Sequence, residues 1–269
     1  FMTVLFIFCQ KAKNKMGYYF NTGKGRVFLA EWFAGVKADF ILNFVKDDRW
    51  KLLLNGLGVT LKITLIAIVI GIIIGIVLAT IRSTYDLTKD EMRGFKKGVM
   101  TFLNAIAKVY LTVIRGTPVV IQLLIIYFVI FASSDNGVVI AALAFGINSG
   151  AYVAEIVRGG IMSIDKGQME AGRSLGFNYI ETMRYIIIPQ AFKNVLPSLA
   201  NEFIALLKET SVSGYVAVVD VTRAGNIIRG QTFSAFMPLI AVAIIYLVMV
   251  MVLTYFVGVL ERRLRNSER

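Results

Sequence analysis

The chain contains no histidine and a single cysteine, Cys9. Without histidine the common zinc sites cannot be assembled. One cysteine excludes an intrachain disulfide and any multi-cysteine metal centre. Charge is sparse too: Asp, Glu, Lys and Arg make up 17% of the 269 residues, where soluble domains carry roughly 25%. A P-loop is also missing. That motif needs G-x-x-x-x-G-K-[ST] so that backbone amides cradle phosphates. The nearest stretch, Gly17 to Gly25, has five residues between its first two glycines and a third glycine after the lysine, so it fails twice.

What the chain does have is apolar length. Hydrophobic residues make up 57%, and mean hydropathy is +0.70. Several stretches exceed roughly 18 residues with almost no charge, the mark of membrane-spanning helices. The fold class is therefore an all-α polytopic membrane protein whose core is helix against helix in lipid. The net charge of +12 does not point to nucleic acid. Single-strand binders interleave aromatics with an exposed basic groove, whereas here the aromatics sit inside apolar spans. Lys and Arg cluster in the connections instead, as topology determinants.

Five spans follow from the pattern. The chain opens on Phe1, and the apolar run 2–8 is too short for the core of a signal peptide. The sequence leaves open whether the start is truncated or translation begins at Met2 or Met16. Residues 1–51 read as an N-terminal segment. Within it, 26–51 suits an amphipathic helix in the membrane interface, with Trp32 and Trp50 at headgroup level, or else a short soluble arm. The membrane-spanning body covers 52–265, and 266–269 form a cytoplasmic tail. The first span is about 58–81, with Gly71 and Gly75 forming a small-xxx-small face. A charged connection, 82–98, follows. Residues 99–132 form one span broken at Arg115-Gly116-Thr117-Pro118, because Pro118 lacks a donor and restricts Thr117. The third span is about 138–158. The fourth starts near Val195 and is cut short by Lys208-Glu209-Thr210, and residues 210–235 suit a re-entrant helix or an outer loop. The fifth covers about 236–260 and ends in Glu261-Arg262-Arg263-Leu264-Arg265. The basic connections predict a cytoplasmic C-terminus and, with five spans, an outside N-terminus. Nine Lys or Arg against four acids in 1–57 pull the other way.

The polar stretch 163–190 is the most informative. Asp165-x-x-Gln168 reads as a capping box that starts a helix over about 166–175, which Gly176 ends. Asn178-x-x-Glu181 starts a second helix that stops before Pro189. Two short helices around a glycine elbow suit a docking protrusion or an ordinary interfacial loop. Small residues at Ala171, Gly172 and Gly176 would allow close approach by a partner, and Glu170 offers a charge.

Glu170-Ala171-Gly172, then Gly176, then Ile188-Pro189 resembles the EAA loop of ABC importer permeases. Two departures are Gly172 for the last alanine and Ile188 before the proline. Further segments resemble the polar amino acid branch, of histidine, glutamine, glutamate and arginine type. They are Gly56–Leu61, Arg115-Gly116-Thr117-Pro118 with Gln122, Ala151–Glu155, Arg158–Ile161, Gly167-Gln168, Pro189-Gln190-Ala191 and Leu207–Ser211. The likeness covers about 50–265 and implies a type I importer fold. It further implies that this loop carries coupling helices that enter a cleft on a separate ATPase, with Glu170, Ala171, Gly172, Gly176 and Pro189 as the contact. ATP and magnesium would then be held by that ATPase, with no cofactor and no catalytic or metal site on this chain. An extracytoplasmic binding protein would deliver the amino acid to a pathway formed with a second copy or a sister permease.

Ionisable groups within spans are costly and by default functional or internally paired. Arg115, Glu155, Lys208 and Glu209 are the charged candidates for the pathway. Thr117, Asn148, Ser149 and Asn201 add neutral hydrogen-bonding capacity. Broken helices at 115–118 and 208–211 would also free backbone groups for an amino acid's two charged ends. For Arg115 and Glu155 the alternatives are a place at the membrane interface or structural pairing with each other. An ion-coupled secondary transporter is the competing class; it would need carboxylates inside the membrane, and Glu155 is the acid this reading places in a span interior.

Overall fold

The computed structural model describes residues 25–266, and the segment containing Cys9 lies outside them. Helix α1, Gly25–Phe40, leads through a π turn (Ile41–Val45) and a 3-10 turn (Lys46–Asp48) into α2, Trp50–Thr88. Then come α3 (Gly94–Gly116), α4 (Val119–Ile125, prolonged by a π turn at Ile126–Ile130) and α5 (Gly137–Met162). Two short helices follow, α6 (Lys166–Ser174) and α7 (Tyr179–Thr182). A π turn at Met183–Ile187 feeds α8 (Ile188–Glu209). A 3-10 turn (Thr210–Val216), α9 (Val221–Thr232) and α10 (Phe236–Asn266) complete the order. There is no strand among the described residues.

Four helices are long and apolar enough to cross a membrane: α2, α3, α5 and α10. Helix α8 has 22 residues but carries Lys193, Glu202, Lys208 and Glu209, so length alone qualifies it. The chain nevertheless makes five passes along the bundle, because α3 and α4 form one interrupted pass. Leu111 of α3 clusters with Ala151 and Ala154, while Leu123 and Ile126 of α4 cluster with Ile140 and Ala141. The α3–α4 pass therefore runs antiparallel to α5. Helix α8 runs antiparallel to α5 as well, with Val195 against Gly160 and Glu202 against Ser149.

Small residues bring the centre of the bundle together. A Cβ on Gly146 would lie 2.7 Å from Ile70, and one on Gly150 would lie 2.8 Å from Ile74. Gly71 faces Ser149, and Gly75 faces Val153 even more tightly. These pairs rise together in number, so α2 and α5 are parallel. The predicted small-xxx-small face on α2 meets a second one on α5, as close packing without a water-driven force requires. The opposite face of α2, including Leu61, Leu65, Val69, Ile73 and Val77, is exposed, as is much of α10. Both suit contact with lipid.

Two expectations need correction. Helix α2 does not end near residue 81 but runs to Thr88, because Arg82 and Asp86 on its last turns meet charged partners on α5. The second helix of the 163–190 stretch does not stop before Pro189. The wide turn at 183–187 absorbs the register change, and Pro189 takes the first turn of α8, where its missing N–H costs nothing.

Of the re-entrant helix or outer loop expected over 210–235, the structure has a helix, α9. It packs on the N-terminal part of α2: a Cβ on Gly56 would lie 2.7 Å from the Asp220 carbonyl, and the Val221 amide donates to Thr60 Oγ1 at 3.3 Å. The turn after α1 is tied to the same corner. Buried Asn43 accepts from Thr232 Oγ1 at 2.8 Å and donates to Ser234 Oγ at 3.3 Å. Trp32 and Phe33 on α1 remain exposed.

Candidate functional site

The break in the second pass is built around Pro118. Thr117 and Pro118 are both extended, and Pro118 cannot donate to the Ile114 carbonyl one turn back. Gln122 supplies the missing donor. Its Nε2 lies 2.7 Å from the Ile114 carbonyl, 3.1 Å from the Thr117 carbonyl and 2.7 Å from Thr117 Oγ1. Its Oε1 accepts from Asn148 Nδ2 at 2.9 Å. Thr117, Gln122 and Asn148 thus form one polar seam between the break and the middle of α5.

Beside Asn148, buried Ser149 donates to Glu202 Oε1 of α8 at 2.7 Å. Sequence reasoning missed Glu202. It took α8 to be short and named Asn201, Lys208 and Glu209 for the pathway there, yet Glu202 stands seven residues before Glu209 and so shares its helix face. The seam therefore holds a half-buried carboxylate on α8, so Glu155 is not the only acid within the spans.

The other candidates separate. Glu155 does not pair with Arg115. It lies 3.7 Å from Arg82 and 3.8 Å from Arg158, and Arg158 also bonds Asp86 at 2.9 Å. This network joins the ends of α2 and α5, away from the seam. Arg115 is exposed and lies over the Tyr152 ring, 5.7 Å from its centroid. Asn201 is exposed and donates to the Pro197 carbonyl at 3.1 Å. Lys208 is exposed and Glu209 half-buried at the end of α8. Asn194, Ser198 and Asn201 are exposed at spacings of four and three, and exposed Lys208 follows seven residues on, so the four form a polar stripe on one face of α8.

The stretch 163–190 folds as a helical hairpin at the end of the bundle. Asp165 caps α6 through the Gly167 amide at 2.7 Å. Gln168 does not close the box; its Oε1 accepts from Gln190 at 3.2 Å. Gly176 sits at φ +87°, a conformation that favours glycine. The Phe177 amide reaches the Gly172 carbonyl at 3.1 Å and the Gly176 amide reaches Arg173 at 3.0 Å, the bonding of a Schellman turn. The second box is complete, with Glu181 N to Asn178 Oδ1 at 3.0 Å and Asn178 N to Glu181 Oε2 at 2.8 Å.

Gly172 is corrected by this geometry. It is buried, and a Cβ there would lie 2.6 Å from Thr182 and 2.9 Å from Ile186. Its small size serves the packing of α6 on the following segment, not an outer surface. Glu170, Ala171, Gly176 and Pro189 are exposed, as are Leu175, Phe177 and Ile180. Arg173 reaches back to the connection between α2 and α3, donating from Nη1 and Nη2 to the two carboxylate oxygens of Glu91 at 2.5 and 2.8 Å. The grip holds the Glu91 carboxyl below the usual glutamate range.

A five-pass helical bundle with a broken second pass and a capped hairpin at one end is the architecture of a type I ABC importer permease. Residues 97–266 match the model of the binding-protein-dependent transport system inner membrane component, and the chain belongs to that family. The glutamine transport system permease protein GlnP of Escherichia coli is 42% identical over 166 residues, 60% of this chain and 76% of that protein. The arginine transport system permease protein ArtQ of Bacillus subtilis is 40% identical over 166 residues, 61% and 76% respectively. Among solved structures, an amino acid ABC transporter crystallised with histidines matches with a TM-score of 0.69 and 41% identity, covering 79% of this chain and 94% of that one. The MetNI methionine ABC transporter matches with a TM-score of 0.69 at 17% identity, which speaks to the fold alone. This chain is thus the permease subunit of an ABC importer, a multi-pass inner membrane protein that works with an ATPase and a substrate-binding partner.

Proposed function

We propose that the chain forms, with a second copy or a sister permease, the translocation pathway for a polar amino acid. The observation that carries this reading is the polar stripe Asn194, Ser198, Asn201 and Lys208 on α8. A helix in the bilayer exposes such a stripe where it faces water or another protein, because polar groups in lipid are expensive. The relatives named for glutamine and arginine transport support an amino acid with a polar side chain. Behind the stripe, the Ser149–Glu202 bond holds α8 against α5, and Thr117, Gln122 and Asn148 tie the α3–α4 break to the same helix. Arg115 and Glu209 lie at the two helix ends that bound the pathway. Glu155 belongs to the ion-pair network and takes no part in it.

The hairpin is the docking surface for the ATPase, through Glu170, Ala171, Gly176, Pro189 and the exposed apolar residues around the elbow. Magnesium and ATP belong to that subunit, and the permease itself carries no catalytic residue. The hairpin end faces the cytoplasm. It gathers Lys89, Arg93, Lys96 and Lys97 beside Lys166, Arg173, Arg184 and Lys193, in keeping with the positive-inside rule. The opposite end, with the N-terminal segment, faces out. There Arg49 pairs with Asp47 at 2.7 Å and Lys51 with Asp48 at 2.6 Å. An extracytoplasmic binding protein docks at this end.

The test uses the whole transporter in proteoliposomes. Asn201→Leu and Lys208→Leu should each lower ATP-driven amino acid uptake about tenfold while insertion and ATPase binding persist. Uptake at the parent rate in both variants would remove the stripe from the pathway.

A further inference from the structure

A cavity of about 720 Å³ opens at the hairpin end of the bundle. It lies between α2, the first turn of α3, the last turn of α5 and the segment from α7 into α8. Ile161, Met183 and Ile188 give it apolar walls. Ser83 also lines it, is 1% exposed, and its hydroxyl makes no hydrogen bond. Buried hydroxyls nearly always have a partner, so this one points to an acceptor supplied from outside the chain.

Two cations complete the cavity, Lys96 and Arg184. Both are exposed, and neither forms an ion pair among the described residues. Arg184 lies over the Tyr185 ring at 5.6 Å. The acid close to it in sequence, Glu181, is committed to the capping box. The exposed apolar face of α2, through Ile73, Ile76 and Val77, leads toward Thr80 on the cavity wall. A ligand here meets positive charge on one side and an exposed apolar surface on the other.

We propose that this cavity binds an anionic phospholipid. The phosphate sits between Lys96 and Arg184, the Ser83 hydroxyl donates to an oxygen of the headgroup or its ester, and one acyl chain lies along the apolar wall. Basic pockets between helices at the cytoplasmic face suit such headgroups. A free phosphate would satisfy the cations but leave the apolar walls empty. The site joins the end of α2 and the start of α3 to the hairpin, so an occupied site stiffens the link between the bundle and the ATPase contact. The proposal rests on the functional reading only in taking the hairpin end as cytoplasmic.

Native mass spectrometry of the purified full transporter, titrated with phosphatidylglycerol, phosphatidylcholine or inorganic phosphate, tests it. Phosphatidylglycerol should be retained in preference to phosphatidylcholine, and millimolar phosphate should not displace it. Its affinity should fall about tenfold in Lys96→Gln/Arg184→Gln and a few-fold in Ser83→Ala. It should hold in Lys89→Gln/Lys97→Gln, which removes as much charge outside the cavity. Equal retention in the two double variants would overturn the site, and so would equal binding of phosphatidylcholine. Displacement by phosphate would mark a soluble-anion site and also sink the proposal. Binding is read without transport, so its failure stays distinct from failure of the permease reading.

Discussion

At the scale of single residues, Gln122 shows how one amide can stabilise a broken helix. Pro118 leaves carbonyls without donors in a region where lipid offers none. The Gln122 side chain meets two of them and the Thr117 hydroxyl, then accepts from Asn148. Gln122→Leu keeps the volume and removes every one of these bonds. It should lower stability by about 2 kcal/mol, since net hydrogen bonds are worth roughly 1 kcal/mol each and often less inside membrane bundles. Thermal unfolding of the purified protein in detergent measures this. The motif Arg115-Gly116-Thr117-Pro118 was legible in the sequence as a break, but its connection to Asn148 was not, because that contact spans 26 residues.

At the scale of elements, the hairpin separates two glycines that look alike in sequence. Gly176 is exposed and meets no neighbour, but its φ of +87° strains any branched side chain. Gly176→Val should therefore weaken the Schellman turn and reduce transport-coupled ATPase activity severalfold, whereas Gly176→Asn should keep most of it, because Asn tolerates left-handed backbone. Equal activity in the two variants would show that the turn plays no part in transmission. The Glu91–Arg173 clasp belongs to the same scale. Both side chains are exposed, so it adds little to stability, but its two-pronged geometry fixes where α6 sits relative to the α2–α3 connection. Glu91→Arg should uncouple ATP hydrolysis from uptake, and adding Arg173→Glu should restore part of the coupling. The sign of its pH dependence follows from the lowered carboxyl. The clasp is intact above the ordinary glutamate range and is lost as pH falls through the depressed value, so coupling measured across neutral pH should not move on its account.

At the scale of the whole molecule, the parallel α2–α5 pair organises everything else. Their glycines bring the backbones close, and α3, α4, α8 and α9 pack around them. Gly75→Leu would drive a side chain into Val153 and the backbone at Ala154, with nowhere to relax. It should abolish assembly of a folded permease, read as loss of the monodisperse peak in fluorescence-detected size exclusion. Gly58→Leu, at a site with open space in the same helix, should leave that peak intact. The five-pass course was legible from hydropathy and from the breaks at Pro118 and Lys208. The length of α2 was not, because charges at Arg82 and Asp86 read as loop until their partners on α5 are known.

The sequence by itself determined the class of the protein. Long apolar runs, basic connections and the spacing Glu170-Ala171-Gly172, Gly176, Pro189 are local properties, and local patterning decides which segments enter a membrane and where helices stop. Only the tertiary structure decided which polar residues meet. It set Glu202 against Ser149, withdrew Glu155 into an ion-pair network, turned Gly172 inward and left Asn201 and Lys208 uncovered. Those outcomes depend on the rotation and depth of α8 against α5. Close packing between distant helices fixes both, and no pattern within a single helix encodes them.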